Sequence, residues 1–192
     1  MESLDTPRGR GGAQEALIEA ATELFSERGP NAVSVREIAK RAKVNHGLVH
    51  RHFGSKEGLL KEVQNKLAEE IALKVGDARP DETLQDLIGA VFGATNRQGH
   101  WLRILAWSVL DGKTDPEIQE HFPLASRMIA AARRDPSGPL APEARVTHIM
   151  SVGLGLLLFG PFLRRATAQS DAEWAQSIGQ IVGLVGQHRS SS

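Results

Sequence analysis

Residues 34–60 read SVREIAKRAKVNHGLVHRHFGSKEGLL. Ser34-Val35-Arg36-Glu37 has the spacing of a capping box, in which serine hydroxyl and glutamate carboxylate each satisfy an amide orphaned at a helix start. The segment that follows puts Val35, Ile38, Ala39 and Ala42 on one side and lasts barely two turns. Lys43-Val44-Asn45 interrupts it, and a second short helix is expected near His46 to His52. Ser55 can cap a longer helix carrying Leu59, Leu60, Val63, Leu67 and Ile71. Two short helices joined by three residues, the second polar on one side, describe a helix-turn-helix.

At about 100° per residue, His46, Gly47, His50 and Arg51 share one face of the second helix, while Leu48, Val49 and His52 share the other. The first face presents imidazoles and a guanidinium, which donate to phosphates and to base acceptors. Gly47 removes a side chain where backbone must come close. Lys56 adds a charge in the first turn of the next helix, beside amides suited to an anion. Charge distribution agrees with a phosphate-holding surface. The whole chain is neutral, with 23 basic and 23 acidic residues, yet residues 34–56 hold six cations (Arg36, Lys40, Arg41, Lys43, Arg51, Lys56) against Glu37 alone. That is a local positive footprint. A metal site would need His46, His50 and His52 to converge, and His52 points elsewhere with no thiol or carboxylate nearby. Catalysis by a histidine would want a nucleophile and an orienting carboxylate, and the sequence positions neither. The bland alternative is a solvated basic face with no partner.

Outward from this stretch the periodicity is helical almost throughout, with no alternating strand run. The class is all-α, about nine helices in 192 residues. Residues 1–12 read as a disordered arm, 13–60 as the helix-turn-helix domain, 61–189 as a second helical domain and 190–192 as a tail. A first helix carries Leu17, Ala20, Ala21, Leu24 and Phe25 and stops at Gly29-Pro30. Beyond a boundary at 76–80, helices are expected over 81–98 and 101–110. Another should start at Asp115-Pro116, kink at Pro123 and run to Arg134. Pro142 opens a long helix to Ala166, bent at Pro161, and Ser170-Asp171-Ala172-Glu173 caps a last one. No cysteine is present, which suits a reducing compartment. The N-terminus lacks the apolar core of a secretory signal. The longest apolar run, 149–163, contains Ser151, three glycines and Pro161, whereas a membrane span needs roughly 20 apolar residues. A soluble cytoplasmic chain without cofactor is expected.

Together with ALIEAATELFSERG at 16–29, residues 34–60 resemble the DNA-binding signature of the TetR family of bacterial transcriptional regulators. The likeness covers about residues 13–60 and is specific, because cap, turn, His-Phe pair, Ser-Lys pair and leucines keep the family's spacing. Past residue 76 it is architectural only. It implies that Ser34 and Arg36 contact DNA from the first helix of the motif. Asn45, His46 and Gly47 would lead the recognition helix, with Leu48 near base edges. His50, Arg51 and Lys56 would hold the phosphate backbone. Three residues depart from the pattern. His50 stands where tyrosine is common, making that contact partly pH-dependent. Lys43 holds the turn site usually given to glycine, and Leu48 replaces a small hydroxyl residue.

One such head reads few base pairs, so a homodimer on palindromic double-stranded DNA is expected, with half-sites about one turn or a multiple apart. The last two helices offer the interface: Gly153, Leu154, Leu157, Leu158, Trp174, Ile178 and Val182. The plainer reading is an intramolecular core from the same residues, less favoured because symmetric dimers are the commonest oligomers. The resemblance implies a four-helix dimer bundle here. Middle helices offer walls for a small apolar effector: Phe92, Trp101, Leu105, Trp107, Phe122, Met128 and Phe159, with His148 as a polar anchor. Each of these aromatics alone is more often plain core. The expected function is a ligand-responsive repressor. A DNA-binding structural factor without effector, and an all-α enzyme carrying the motif, are the alternatives. The second domain lacks an acid–base pair or nucleophile motif, which disfavours the enzyme.

Overall fold

The computed structural model describes residues 10–95, 99–112, 121–135 and 140–186. The order is α1 (Arg10–Arg28), a 3-10 turn (Pro30–Ala32), α2 (Val35–Arg41), α3 (Gly47–Phe53), α4 (Lys56–Val75) and α5 (Leu84–Thr95). Then follow α6 (Gly99–Leu110), α7 (Pro123–Arg134), α8 (Pro142–Ala166) and α9 (Asp171–Gly186). Among the described residues the protein is all-α, with no strand.

Two compact units emerge, and neither is continuous in sequence: 1–68 with 99–121, and 69–98 with 122–192. Cutting the chain once near residue 60 therefore misses that α6 folds with the N-terminal helices. The first unit has one core. Leu17, Ala21 and Phe25 from α1, Ile38 from α2 and Val49 from α3 are buried, as are Leu59, Leu60, Val63 and Leu67 from α4 and Ile104 from α6. Glu15, Glu19, Glu23 and Glu27 of α1 are exposed, so the helix is stripe-in and charge-out as its periodicity demands. It starts at Arg10, inside the expected arm.

The second unit buries Leu84, Leu87 and Ile88 of α5, Met128, Ala131 and Ala132 of α7, and Val146 and Ile149 of α8. A Thr83–Asp86 capping box opens α5: Asp86 N donates to Thr83 Oγ1 at 3.1 Å, and Thr83 N to Asp86 Oδ2 at 3.0 Å. Its T-x-x-D spacing is legible in the sequence, yet the box was not among the helix starts read there. The 76–83 connection, expected to be a plain boundary, is fastened to α7. Arg127 forks onto both oxygens of Glu82 and donates to the carbonyls of Gly76 and Asp77, and Arg134 Nη2 donates to Glu82 O at 2.7 Å. Pro123 does not kink a helix; it opens α7 from the first turn, where its missing N–H costs no hydrogen bond. The Asp115-Pro116 start lies outside the described residues.

Helix α8 runs from Pro142 to Ala166 and includes Pro161. By length and composition alone it is apolar enough to cross a membrane, which the shorter 149–163 run did not suggest. In the second unit it meets α7 through Val146 and Ile149, and Arg145 Nη2 donates to Asp135 Oδ2 at 3.0 Å. The Ser170–Glu173 box opens α9 as its spacing requires.

Candidate nucleic-acid interface

Glycine fixes both ends of the motif's frame. Gly29, at φ 80°, lies against Trp107 of α6, so close that a Cβ there would stand 3.0 Å from the indole. At Gly58 a Cβ would stand 2.1 Å from the carbonyl oxygen of Phe53. The end of α3 therefore passes directly over the first turn of α4, and only a residue without a side chain permits it. Gly58 was missed from sequence. Its signal was a glycine in the first turn of an otherwise good helix former, where it costs helix propensity without giving a turn.

Between these points α2 is held by its cap. Ser34 Oγ accepts from Glu37 N at 3.2 Å, while Glu37 Oε2 receives Ser34 N at 2.8 Å and Ser34 Oγ at 2.7 Å. Arg28 Nη2 donates to the other carboxylate oxygen at 2.8 Å. The Ser34 amide, the Ser34 hydroxyl and Arg28 together hold the Glu37 carboxyl at about 2, from an ordinary 4.5. Here the Ser34 hydroxyl gives its proton to Glu37, so donating that proton to a phosphate means leaving the cap.

After α2, Lys43 takes the left-handed conformation at φ 55°, a strain of roughly 1–2 kcal/mol for a residue with a side chain. Asn45 Oδ1 accepts the Gly47 amide at 2.8 Å, so Asn45 starts α3 with its oxygen and keeps only its NH2 donors for another partner. His46 sits just before the helix, exposed, in helical backbone. Val49 is fully buried, and Leu48 is half-buried against the same core. Leu48 is thus drawn partly inward, which restrains its reach toward a base. His50 Nδ1 lies 3.1 Å from Gly54 O. A carbonyl only accepts, so that nitrogen carries the proton, and a neutral ring has no second donor to offer.

The structure sorts the segment's cations. Arg41 is paired with Glu23, whose hydrogen bond is the main cause raising the guanidinium's pKa. Lys56, half-buried, donates to Pro30 O at 3.1 Å and Val33 O at 3.3 Å, bolting the start of α4 to the 3-10 turn; one of its three N–H groups is left over. Arg36, Lys40, Lys43 and Arg51 are exposed with no partner among the described residues, as is His46. Chemically, α2 and α3 thus offer outward-facing cations and amides on a rigid, capped frame. Among the described residues no three histidine or acidic side chains stand together as a metal site.

The expected effector walls are scattered. Trp101, Leu105 and Trp107 lie on α6 in the first unit. In the second unit Met128 is buried in the core and Phe92 is half-buried, whereas Phe122 and His148 are exposed and Phe159 is 55% exposed. Phe159 therefore lines no interior of its unit; with Leu158 and Phe162 it projects from α8, because that face of the helix is turned away from α7. Along the expected dimer face, Gly153, Leu154, Leu157, Trp174 and Ile178 are half-buried; Val182 is outside the described side chains. Among the described glycines of α8 and α9, Gly160 alone serves close packing: a Cβ there would stand 3.3 Å from Trp174. A Cβ on Gly153, Gly155, Gly179 or Gly183 would meet open space.

The description "Bacterial regulatory proteins, tetR family" fits residues 17–63, the stretch that builds this face. The HTH-type transcriptional repressor Rv3405c of Mycobacterium tuberculosis (strain ATCC 25618 / H37Rv) is 37% identical over 161 residues, 84% of this chain and 80% of that protein. Salmonella enterica GusR shares the fold with a TM-score of 0.69 at 13% identity, over 95% of this chain and 99% of that one. A BioQ solved with its double-stranded DNA operator matches with a TM-score of 0.57 at 16% identity, over 91% and 98%. With helix-turn-helix, interface chemistry and relatives in agreement, the chain belongs to the TetR family of bacterial regulatory proteins and is a DNA-binding transcriptional regulator, not an enzyme.

Proposed function

We propose that this regulator is a cytoplasmic, homodimeric repressor that holds a palindromic operator and releases it when a small, mostly apolar effector binds. The observation that carries the reading is the set of exposed cations on α2, α3 and the turn between them, Arg36, Lys40, Lys43 and Arg51, without partners among the described residues, beside others that are paired. His46 and Gly47 lead α3 toward base edges, Arg36 reaches from α2, and Arg51, His50 and Lys56 hold phosphates. His50 does so once protonated, when its second ring nitrogen also donates. Repression is favoured because the relative Rv3405c is named a repressor, and an operator because BioQ was solved on one.

A dimer is supported by the second unit, where Leu158, Phe159 and Phe162 are exposed together on α8 and Gly153, Gly155, Gly179 and Gly183 have room above them. Apolar patches of this kind mark protein contacts. Phe159 is better assigned to that contact than to an effector pocket. Effector response would run through α4, one unbroken helix from Lys56 to Val75: tilting it moves the recognition helices of the two protomers relative to one another. Coupling is reciprocal, so operator DNA must weaken effector binding by the same factor.

Titrating wild-type protein and two variants against operator DNA at several salt concentrations tests the contacts. Lys56→Ala should weaken binding about equally on all sequences and lower the salt slope by roughly one phosphate. His46→Ala should relax preference at one position per half-site. Unchanged binding in both variants would remove the starts of α3 and α4 from the interface.

A further inference from the structure

Gln64 of α4 is fully buried, and neither its Nε2 nor its Oε1 has a hydrogen-bond partner among the described residues. It stands in the helix's inward stripe with Leu60, Leu67 and Ala68, four and three residues away, all buried. On α6 the Trp101 indole Nε1 is likewise buried and unpartnered, and its ring packs against the same core. Both residues belong to the first unit. Elsewhere in that unit the buried polar groups find partners within it: Ser26 Oγ donates to Glu23 O at 2.9 Å and lies 2.7 Å from His100 Nδ1, and Ser108 Oγ donates to Ile104 O at 2.8 Å. Buried polar atoms are almost always satisfied, so three orphans in one core call for a specific cause.

We infer that Gln64 and Trp101 are the polar anchors of the effector site, and that they select an uncharged molecule with an apolar body and an amide-like edge. Gln64 offers one acceptor and a two-proton donor on a planar group, which matches a carbonyl beside an N–H or O–H. Trp101 offers a donor only, to a second acceptor. A carboxylate or ammonium is disfavoured, since Gln64 and its buried helix neighbours Leu60, Leu67 and Ala68 supply no countercharge and an unpaired buried charge is costly. The inference rests on the reading of the chain as effector-responsive, and it places the recognition chemistry within the first unit.

The test uses the full chain and a matched bicyclic series: 3,4-dihydroquinolin-2-one (carbonyl and N–H), 1-tetralone (carbonyl only) and tetralin (neither). Binding is followed by tryptophan fluorescence and thermal shift in the absence of DNA. The lactam should bind wild type about tenfold more tightly than tetralin, with the ketone between, and Gln64→Leu should abolish the ranking. Without any ligand, Gln64→Leu should raise Tm by a few degrees, because an apolar isostere removes two orphaned groups. A lower Tm in Gln64→Leu would show that the amide is satisfied in the free protein and would overturn the inference. So would failure of the lactam to bind, or a ranking unchanged by the substitution. Operator binding by Gln64→Leu, measured separately, should equal wild type; wild-type protein that binds no DNA would fault the regulator reading and leave these outcomes intact.

Discussion

The two units are built by different means. In the first, local hydrogen bonds set the helix starts, a capping box at Ser34 and an Asn45 side chain that begins α3. A tie from the Lys56 ammonium to two neutral backbone carbonyls, 26 and 23 residues back, closes the frame. In the second, the decisive ties are long-range and ionic, such as Arg127 reaching 45 residues back to Glu82. Its longest helix also leaves Leu158, Phe159 and Phe162 in solvent. A unit that must present fixed donors to a regular duplex gains from local over-determination. A unit that must meet a partner keeps apolar surface uncovered.

Gly58→Ala is the hardest blow to that contrast. With a Cβ 2.1 Å from a backbone oxygen, the first unit should lose about 3 kcal/mol or more, and chemical denaturation should show it. A neutral result would mean that α3 and α4 do not meet so closely. Arg127→Ala comes next in size. It strands Glu82, 5% exposed at its side chain, at a cost of about 3 kcal/mol, and should speed amide exchange in the 76–83 connection. Protection unchanged there would mean that the second unit does not depend on its ionic tie.

These two residues also show what was legible. Cap, turn, the inward stripe of α4 and the whole helix-turn-helix follow from spacing of a few residues, which sequence displays directly. The Glu82–Arg127 fork joins positions far apart in the chain, and nothing local in either residue announces it. Likewise α6 was assigned to the second domain because it follows α5, although Ile104 is buried in the first core. At the site, helical phase and the family resemblance set the expectation for His46 and Arg51, and both are exposed. At Ser34 the capping box that identified its helix also engages the hydroxyl, a double use that spacing alone does not display. Gln64 was not singled out, because nothing local in the sequence tells a buried glutamine from a solvent-side one. Pro123 misled because a proline within helical periodicity reads as a kink or as a start, and the distinction depends on 113–122.

Smaller effects sharpen the comparison. Lys43→Gly should stabilise the first unit by about 1 kcal/mol, relieving the left-handed strain, while removing one exposed cation; Tm should rise as salt-dependent DNA affinity falls. No gain in Tm would mean that the turn is not left-handed in solution. Least of all is the acid effect of Glu37. Its folded pKa lies below the ordinary value, at about 2 rather than 4.5. Stability from the cap is therefore fully present above 4.5 and lost as pH falls toward 2. Glu37→Gln should flatten that part of the stability profile, and an unchanged profile would place the Arg28 and Ser34 bonds outside the solution structure.

Paired recognition helices on a two-fold operator are tested most directly by selecting bound duplexes from a random pool with the full-length protein. Two-fold docking predicts an inverted repeat whose half-site centres lie roughly 10 bp, or a multiple, apart. Enrichment of a single asymmetric half-site, or of no sequence at all, would contradict it.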